Sequence, residues 1–217
     1  MRARRDSLGV VNPMIQSSNR AADDRVLESL RARLRADGLP YPACASPAEV
    51  EVFEGAVGFS LPAFYRRLLT EVANGGFGPG FGMVGIPPSG HIEDDLSGDL
   101  REFYLAGRAQ PELEWRTPCG LLALCSWGCG VLSYVDCFSE RAAVVTNEAS
   151  ENRIEFTETS PSLADWLAAW LSGVDLKAAM HRVVGHRQGV NPFTKEPISI
   201  PILERLGRRL DFNGRWS

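Results

Sequence analysis

The chain has 217 residues, 44% hydrophobic and 23% charged, with a formal net charge of −4. At about one domain per ~150 residues, this length allows one domain with extensions or two small ones. The apolar content excludes a disordered chain, no apolar run approaches the ~20 residues of a bilayer span, and the near-zero net charge argues against a generic nucleic-acid binder.

Residues 1–19 show little periodicity and read as a loose arm, with Met14 offering an alternative start. From Asp23 to Asp37, Val26, Leu27, Leu30 and Leu34 recur at helical spacing with arginines on the other face, and Gly38 and Pro40 stop the run. Ser46-Pro47-Ala48-Glu49 carries a capping box and a proline at the first helical position. Val50, Phe53 and Val57 form the stripe that follows, ended by Gly58. A third helix is expected to open at Leu61-Pro62, bury Phe64, Tyr65, Leu68, Leu69 and Val72, and end at Asn74-Gly75-Gly76 with a left-handed glycine cap. Residues 75–98 read as a long Gly/Pro loop with the acidic run Glu93-Asp94-Asp95, and loops of this length tend to be functional. A helix is expected over 99–110.

A β region follows. Leu121–Cys125 and Val131–Val135 form a hairpin around the turn Trp127-Gly128-Cys129-Gly130, and 143–146 and 153–157 add strands to an antiparallel meander. Ser160-Pro161 is expected to open a closing helix whose stripe is Leu163, Trp166, Leu167, Trp170 and Leu171. Residues 175–184 offer a short helix, and the tail from Gly185 is polar and Gly/Pro-punctuated. The sum is an α+β single domain: N-terminal helices, a central mostly antiparallel sheet, a closing amphipathic helix and extended termini. The expected divisions are a basic arm at 1–22, the domain at 23–176 and a basic extension at 177–217.

The five cysteines are Cys44, Cys119, Cys125, Cys129 and Cys137. An odd number behind a basic N-terminus that no apolar stretch follows points to reduced thiols in the cytoplasm. The C-x5-C-x3-C-x7-C spacing of the last four departs from structural zinc pairs, and small buried strand residues explain them better. Neither His91, His181 nor His186 completes a local catalytic or metal signature, so no catalytic residue, metal or cofactor is assigned.

The net charge hides an uneven distribution: +4 over residues 1–35, −13 over 36–176 and +5 over 177–217. An acidic body repels nucleic acid and steers cationic partners.

The run Gly58-Phe59-Ser60-Leu61-Pro62-Ala63-Phe64, continuing through Leu68-Leu69 to Asn74-Gly75-Gly76, resembles the SUKH superfamily. That group includes a yeast cell-wall-synthesis regulator and many bacterial immunity proteins. Trp127-Gly128-Cys129-Gly130 and the Trp166/Trp170 helix fall where the family has its glycine-rich turn and closing helix. The similarity spans about residues 46–176. Asn191–Ile198 looks like an extension attached to immunity-type domains, with Lys195 where glycine is usual.

The resemblance implies a non-catalytic, monomeric protein-binding module that neutralises a toxin, including nuclease toxins, and needs no cofactor. A nuclease presents cationic surface to phosphate, which an acidic inhibitor can occupy. The expected partner is therefore a cationic toxin protein rather than nucleic acid or membrane. The candidate surface is Glu93, Asp94, Asp95 and Asp99 with Asp136 and Glu140 beside the hairpin, and Trp127 as aromatic anchor. For Trp127 the competing reading is core packing; for the acids it is a solvated face. Two other classes remain open: a regulatory module without a toxin, and a metal or thiol enzyme using Cys119, Cys125 or Cys129 with His91.

Overall fold

The structure is a computed structural model that describes residues 13–94, 96–112, 115–149, 153–212 and 215, with side chains described from residue 20 onward except at 149. Four helices come first: α1 Pro13–Asp37, α2 Pro47–Val57, α3 Ala63–Glu71 and α4 Leu100–Arg108. The strands β1 Leu121–Ser126, β2 Leu132–Asp136, β3 Val144–Ala149 and β4 Ile154–Ser160 follow, then α5 Leu163–Leu171 and α6 Leu176–Ala179. The chain ends in β5 His181–Val190, β6 Pro197–Arg205 and the two-residue β7 Arg208–Arg209. The first four strands form the expected antiparallel meander, and β7 adds to its far edge in the order β1-β2-β3-β4-β7.

Local chemistry explains the helix starts. Ser46 accepts from the Glu49 backbone N–H while the Glu49 carboxylate accepts from the Ser46 N–H, so the expected capping box closes on both sides. Asp99 and Glu102 make a second such box at the start of α4. Such caps are worth ~1 kcal/mol each. One continuous core links Leu27 and Leu30 of α1, Phe53 of α2, Tyr65 and Leu68 of α3, Leu121–Cys125 of β1, and Trp166 and Leu167 of α5. β1 is buried along its whole length, which is why it reads as an unbroken apolar run rather than an alternating one.

Several boundaries differ from expectation. α1 begins at Pro13, ten residues before Asp23, so the expected arm boundary at 22/23 falls inside a helix; Pro13 stands at its first position, where a missing N–H costs nothing. α3 ends at Glu71 with Val72 as its C-cap, short of the Asn74 glycine cap. Gly75, at φ +84°, serves a close crossing instead: a Cβ there would lie 2.5 Å from the Met83 carbonyl oxygen. α5 is capped by Ser162, which accepts from the Asp165 N–H, because Ser160 is still the last residue of β4.

The largest difference is the C-terminal extension. Residues 181–205 form a two-stranded ribbon, and the strap beyond it returns to the body. No strand is expected there from the sequence: Pro201 interrupts the alternation of Ile198, Ile200 and Ile202, and β5 carries Gly185, Gly189 and His186 and has no one-sided apolar pattern. No helix among the described residues is long and apolar enough to cross a membrane.

Candidate protein-binding groove

The 84–92 loop is held in place by Asn74. This side chain is fully buried. Its Nδ2 donates to the Ile86 carbonyl at 2.9 Å, and its Oδ1 accepts from the Ile86 N–H at 2.8 Å, as a neighbouring strand would. The Asn74 carbonyl accepts from the His91 N–H, and Gly85 N–H donates to the His91 carbonyl. The loop thus folds back on itself at a spot with no room for side chains: a Cβ on Gly85 would lie 2.1 Å from the Asn74 carbonyl oxygen. Ser89 then ties the loop to α2, receiving from Asn74 Nδ2 and donating to Glu49 at 3.2 Å. Glu49 therefore serves both the helix cap and the loop. Its hydrogen bonds, those from Ser46 foremost, hold its carboxyl below the usual range.

This loop, α2 and the start of α4 enclose an open groove of about 330 Å³, lined by Val52, Phe53, Pro87, Pro88, Ile92, Asp99 and Arg101 among others. Phe53 forms a buried floor, whereas Val52 is 70% exposed and Ile92 55% exposed. Two solvated aliphatics facing one concavity with a carboxylate on its wall combine an apolar centre with a polar rim, as at protein interfaces.

The seven residues singled out from the sequence do not form one surface. Asp99 lines the groove, but its carboxylate caps α4. Asp94 is exposed on the same loop as Ile92, and Asp95 lies outside the described residues. Glu93 was expected to be exposed; it is buried, with its carboxylate 3.8 Å from His91 Nε2. Trp127 was the candidate anchor; it is buried, donates from Nε1 to the Ser133 hydroxyl at 2.9 Å and meets Trp166 edge-on, so it belongs to the core. Asp136 is also buried, engaged by both terminal nitrogens of Arg215 at 2.8 and 2.9 Å. Glu140 is exposed beside Arg141 in a separate small cleft with Asp23. Burial raises the Asp23 carboxyl against the pull of Arg141 and Arg67.

The charge asymmetry also looks different once folded. Arg205 approaches Glu148, Arg208 pairs with Glu158, Arg209 with Glu155 and Arg215 with Asp136, while Arg31 of α1 meets Glu71. The basic ends neutralise part of the acidic body, and in the groove itself Asp99 is faced by Arg101 at 3.6 Å.

The cysteines do not converge. Cys125 is fully buried on β1, and Cys119 accepts from the Tyr104 hydroxyl at 3.7 Å. Cys44 and Cys129 are exposed. Burial pushes the Cys125 and Cys137 thiols up, disfavouring the thiolate a nucleophile needs. Among the described residues, no three His, Cys, Asp or Glu side chains gather as metal ligands would.

The model of the SMI1 / KNR4 family (SUKH-1) matches residues 44–169, more than half of the chain. The chain belongs to this family. A search of the curated proteins finds no match. The SMI1 / KNR4 match opens just before α2 and closes within α5, so it contains the groove, the Asn74 clamp and the four-stranded meander. It leaves α1, the ribbon and the strap outside. Sequence reading placed Asn74 only at a helix end. That it is a polar residue inside an apolar stretch, followed by two glycines, was the available signal for its clamping role.

Proposed function

We propose that this SUKH-1 chain is a non-catalytic protein-binding module of the immunity type. It acts as a monomer in the cytoplasm and neutralises a toxin through the groove between α2, the 84–92 loop and α4. The supporting observation is the pairing of exposed Val52 and Ile92 in one concavity, with Asp99 on its wall and Asp94 on the adjoining loop. The fitting partner carries an apolar knob surrounded by cationic residues, as a nuclease toxin would near its phosphate site. The apolar contact supplies affinity, and the acids supply association rate and specificity.

Co-expression with the toxin encoded beside this gene tests the reading. Growth is expected to be rescued by the native chain and lost with Val52→Asp. Absence of rescue by the native chain refutes the immunity role. One-to-one binding of a non-toxic protein at the same groove would make the chain a regulatory module instead.

A further inference from the structure

We propose that the sheet face and open edge at β4 form a second interaction surface, one that takes an extended arginine-rich segment with an aromatic residue. The chain's own strap, Leu206 to Arg215, shows what fits there. β7 runs antiparallel to β4, with Arg208 opposite Glu158 and Arg209 opposite Thr157. Arg208 pairs with Glu158 at 2.8 Å and Arg209 with Glu155 at 2.7 Å. Phe212 packs edge-on against Phe156, which packs in turn against Tyr134 of β2. Arg215 lies over the rings of Phe138 and Phe212 while its guanidinium clasps Asp136. Carboxylates at Glu155, Glu158 and Asp136 beside the rings of Phe138, Phe156 and Tyr134 therefore offer both kinds of partner that an arginine-rich strand with an aromatic residue recognises.

The strap is held unevenly. Its inner end is anchored by buried Phe212 and by Arg215, which clasps Asp136 and exchanges hydrogen bonds with the Cys119 backbone, whereas its hold on β4 itself is local. β4 has seven residues, but only Thr157 and Glu158 are in ladder register with β7, and one more strap amide, that of Leu210, reaches the Phe156 carbonyl. A strand edge covered so briefly remains a template for pairing. The Arg208 and Arg209 side chains are 73% and 58% exposed, and ion pairs that exposed contribute little. The strap hangs on the β5–β6 ribbon, whose Val183, Val190, Phe193 and Leu203 are solvated and whose base is fixed by Arg205 and by buried Met180, whose carbonyl accepts from the Leu206 N–H. Arg205 enters β3 from this base, donating to the Thr146 and Asn147 carbonyls, and its buried Nε has no hydrogen-bond partner. Opening of the strap requires release of Phe212 and of the Arg215–Asp136 clasp, and it would then free the β4 edge while the rest of the sheet stays paired. A cationic segment of another protein then competes with the strap for the same acids and rings. This surface is separate from the α2–α4 groove, so neither reading depends on the other.

The probe is a fluorescently labelled synthetic peptide with the sequence of Leu206–Arg215, added to the full-length chain. The Arg208→Ala/Arg209→Ala chain alters only exposed side chains and is expected to fold normally. The Phe212→Ala/Arg215→Ala chain loosens the inner anchor. The Phe212→Ala/Arg215→Ala chain should bind the peptide at least ten-fold more tightly than the native chain, whose site is occupied, and the Arg208→Ala/Arg209→Ala chain should gain less, because its inner anchor stays in place. Amide-exchange protection of Phe156 and Glu158, whose backbone groups face the strap, should return on binding. A peptide with Arg208, Arg209 and Arg215 all replaced by Glu should not bind. If the Phe212→Ala/Arg215→Ala chain is folded by circular dichroism and binds no peptide, the vacated surface does not take such a segment and the proposal fails. Equal binding of the charge-reversed peptide also overturns it.

Discussion

Replacing Asn74 with Ala removes a side chain that satisfies three groups at once. The Ile86 N–H and C=O lose their partners at 2.8 and 2.9 Å, and the Ser89 hydroxyl loses a donor. Ile86 is fully buried, so water does not replace these bonds without local opening. Each buried unsatisfied group costs about 1–3 kcal/mol. Two backbone groups therefore put the loss near ~3–4 kcal/mol, including a small cavity. For a chain of this size, a kcal/mol moves the midpoint by about 2–4 °C, so the expected drop is roughly 6–16 °C. Asn74→Asp keeps the acceptor for Ile86 N–H but loses the donor and buries a charge, and it should be at least as damaging. The assay is thermal and urea unfolding followed by circular dichroism, with amide exchange at Ile86 and His91. If Asn74→Ala melts within 1–2 °C of the native chain, or Ile86 remains protected in it, the clamp argument is wrong.

Val52→Asp and Ile92→Asp should each leave stability within about 0.5 kcal/mol, since both side chains are largely solvated. Each should weaken partner capture at least ten-fold in a surface-binding assay, and loss of fold instead would place them in the core. Asp136→Asn should cost about 2–3 kcal/mol, discounted for the partial exposure of Arg215, by breaking a two-bonded ion pair; an unchanged urea midpoint would contradict that. Glu71 is held below the usual carboxylate range, by its hydrogen bond from Arg67 foremost and also by the Arg31 charge. Its folded-state value lies below its unfolded one, so its contribution is present at neutral pH and fades as acid protonates it below about pH 4.5. Glu71→Gln should therefore flatten the fall in melting temperature between pH 5 and 3, and an unaltered slope would show that Glu71 contributes nothing to it.

Much of this protein is determined locally. The capping box at Ser46, the stripe Leu163-Trp166-Leu167 and the glycine-bracketed turn at Trp127 each follow from interactions within a few residues, so their helices and hairpin could be placed from the sequence. The family resemblance rests on the same short-range signals between Gly58 and Gly76. The site was legible only in part, because exposure is set by what packs from elsewhere. Trp127 is turned inward by Trp166, nearly forty residues later in the chain. Asp136 is covered by Arg215, 79 residues away. Val52 belongs to a helix whose other face is core, and its meeting with Ile92 across a groove depends on Asn74 folding the intervening loop back.

The opposite charges of body and ends were determined by sequence alone. Where those charges meet was decided by the fold, because an ion pair depends on distance in space rather than along the chain. The tail arginines lie over the acids of β3, β4 and Asp136, while Asp99 in the groove meets Arg101, two residues along the same helix start.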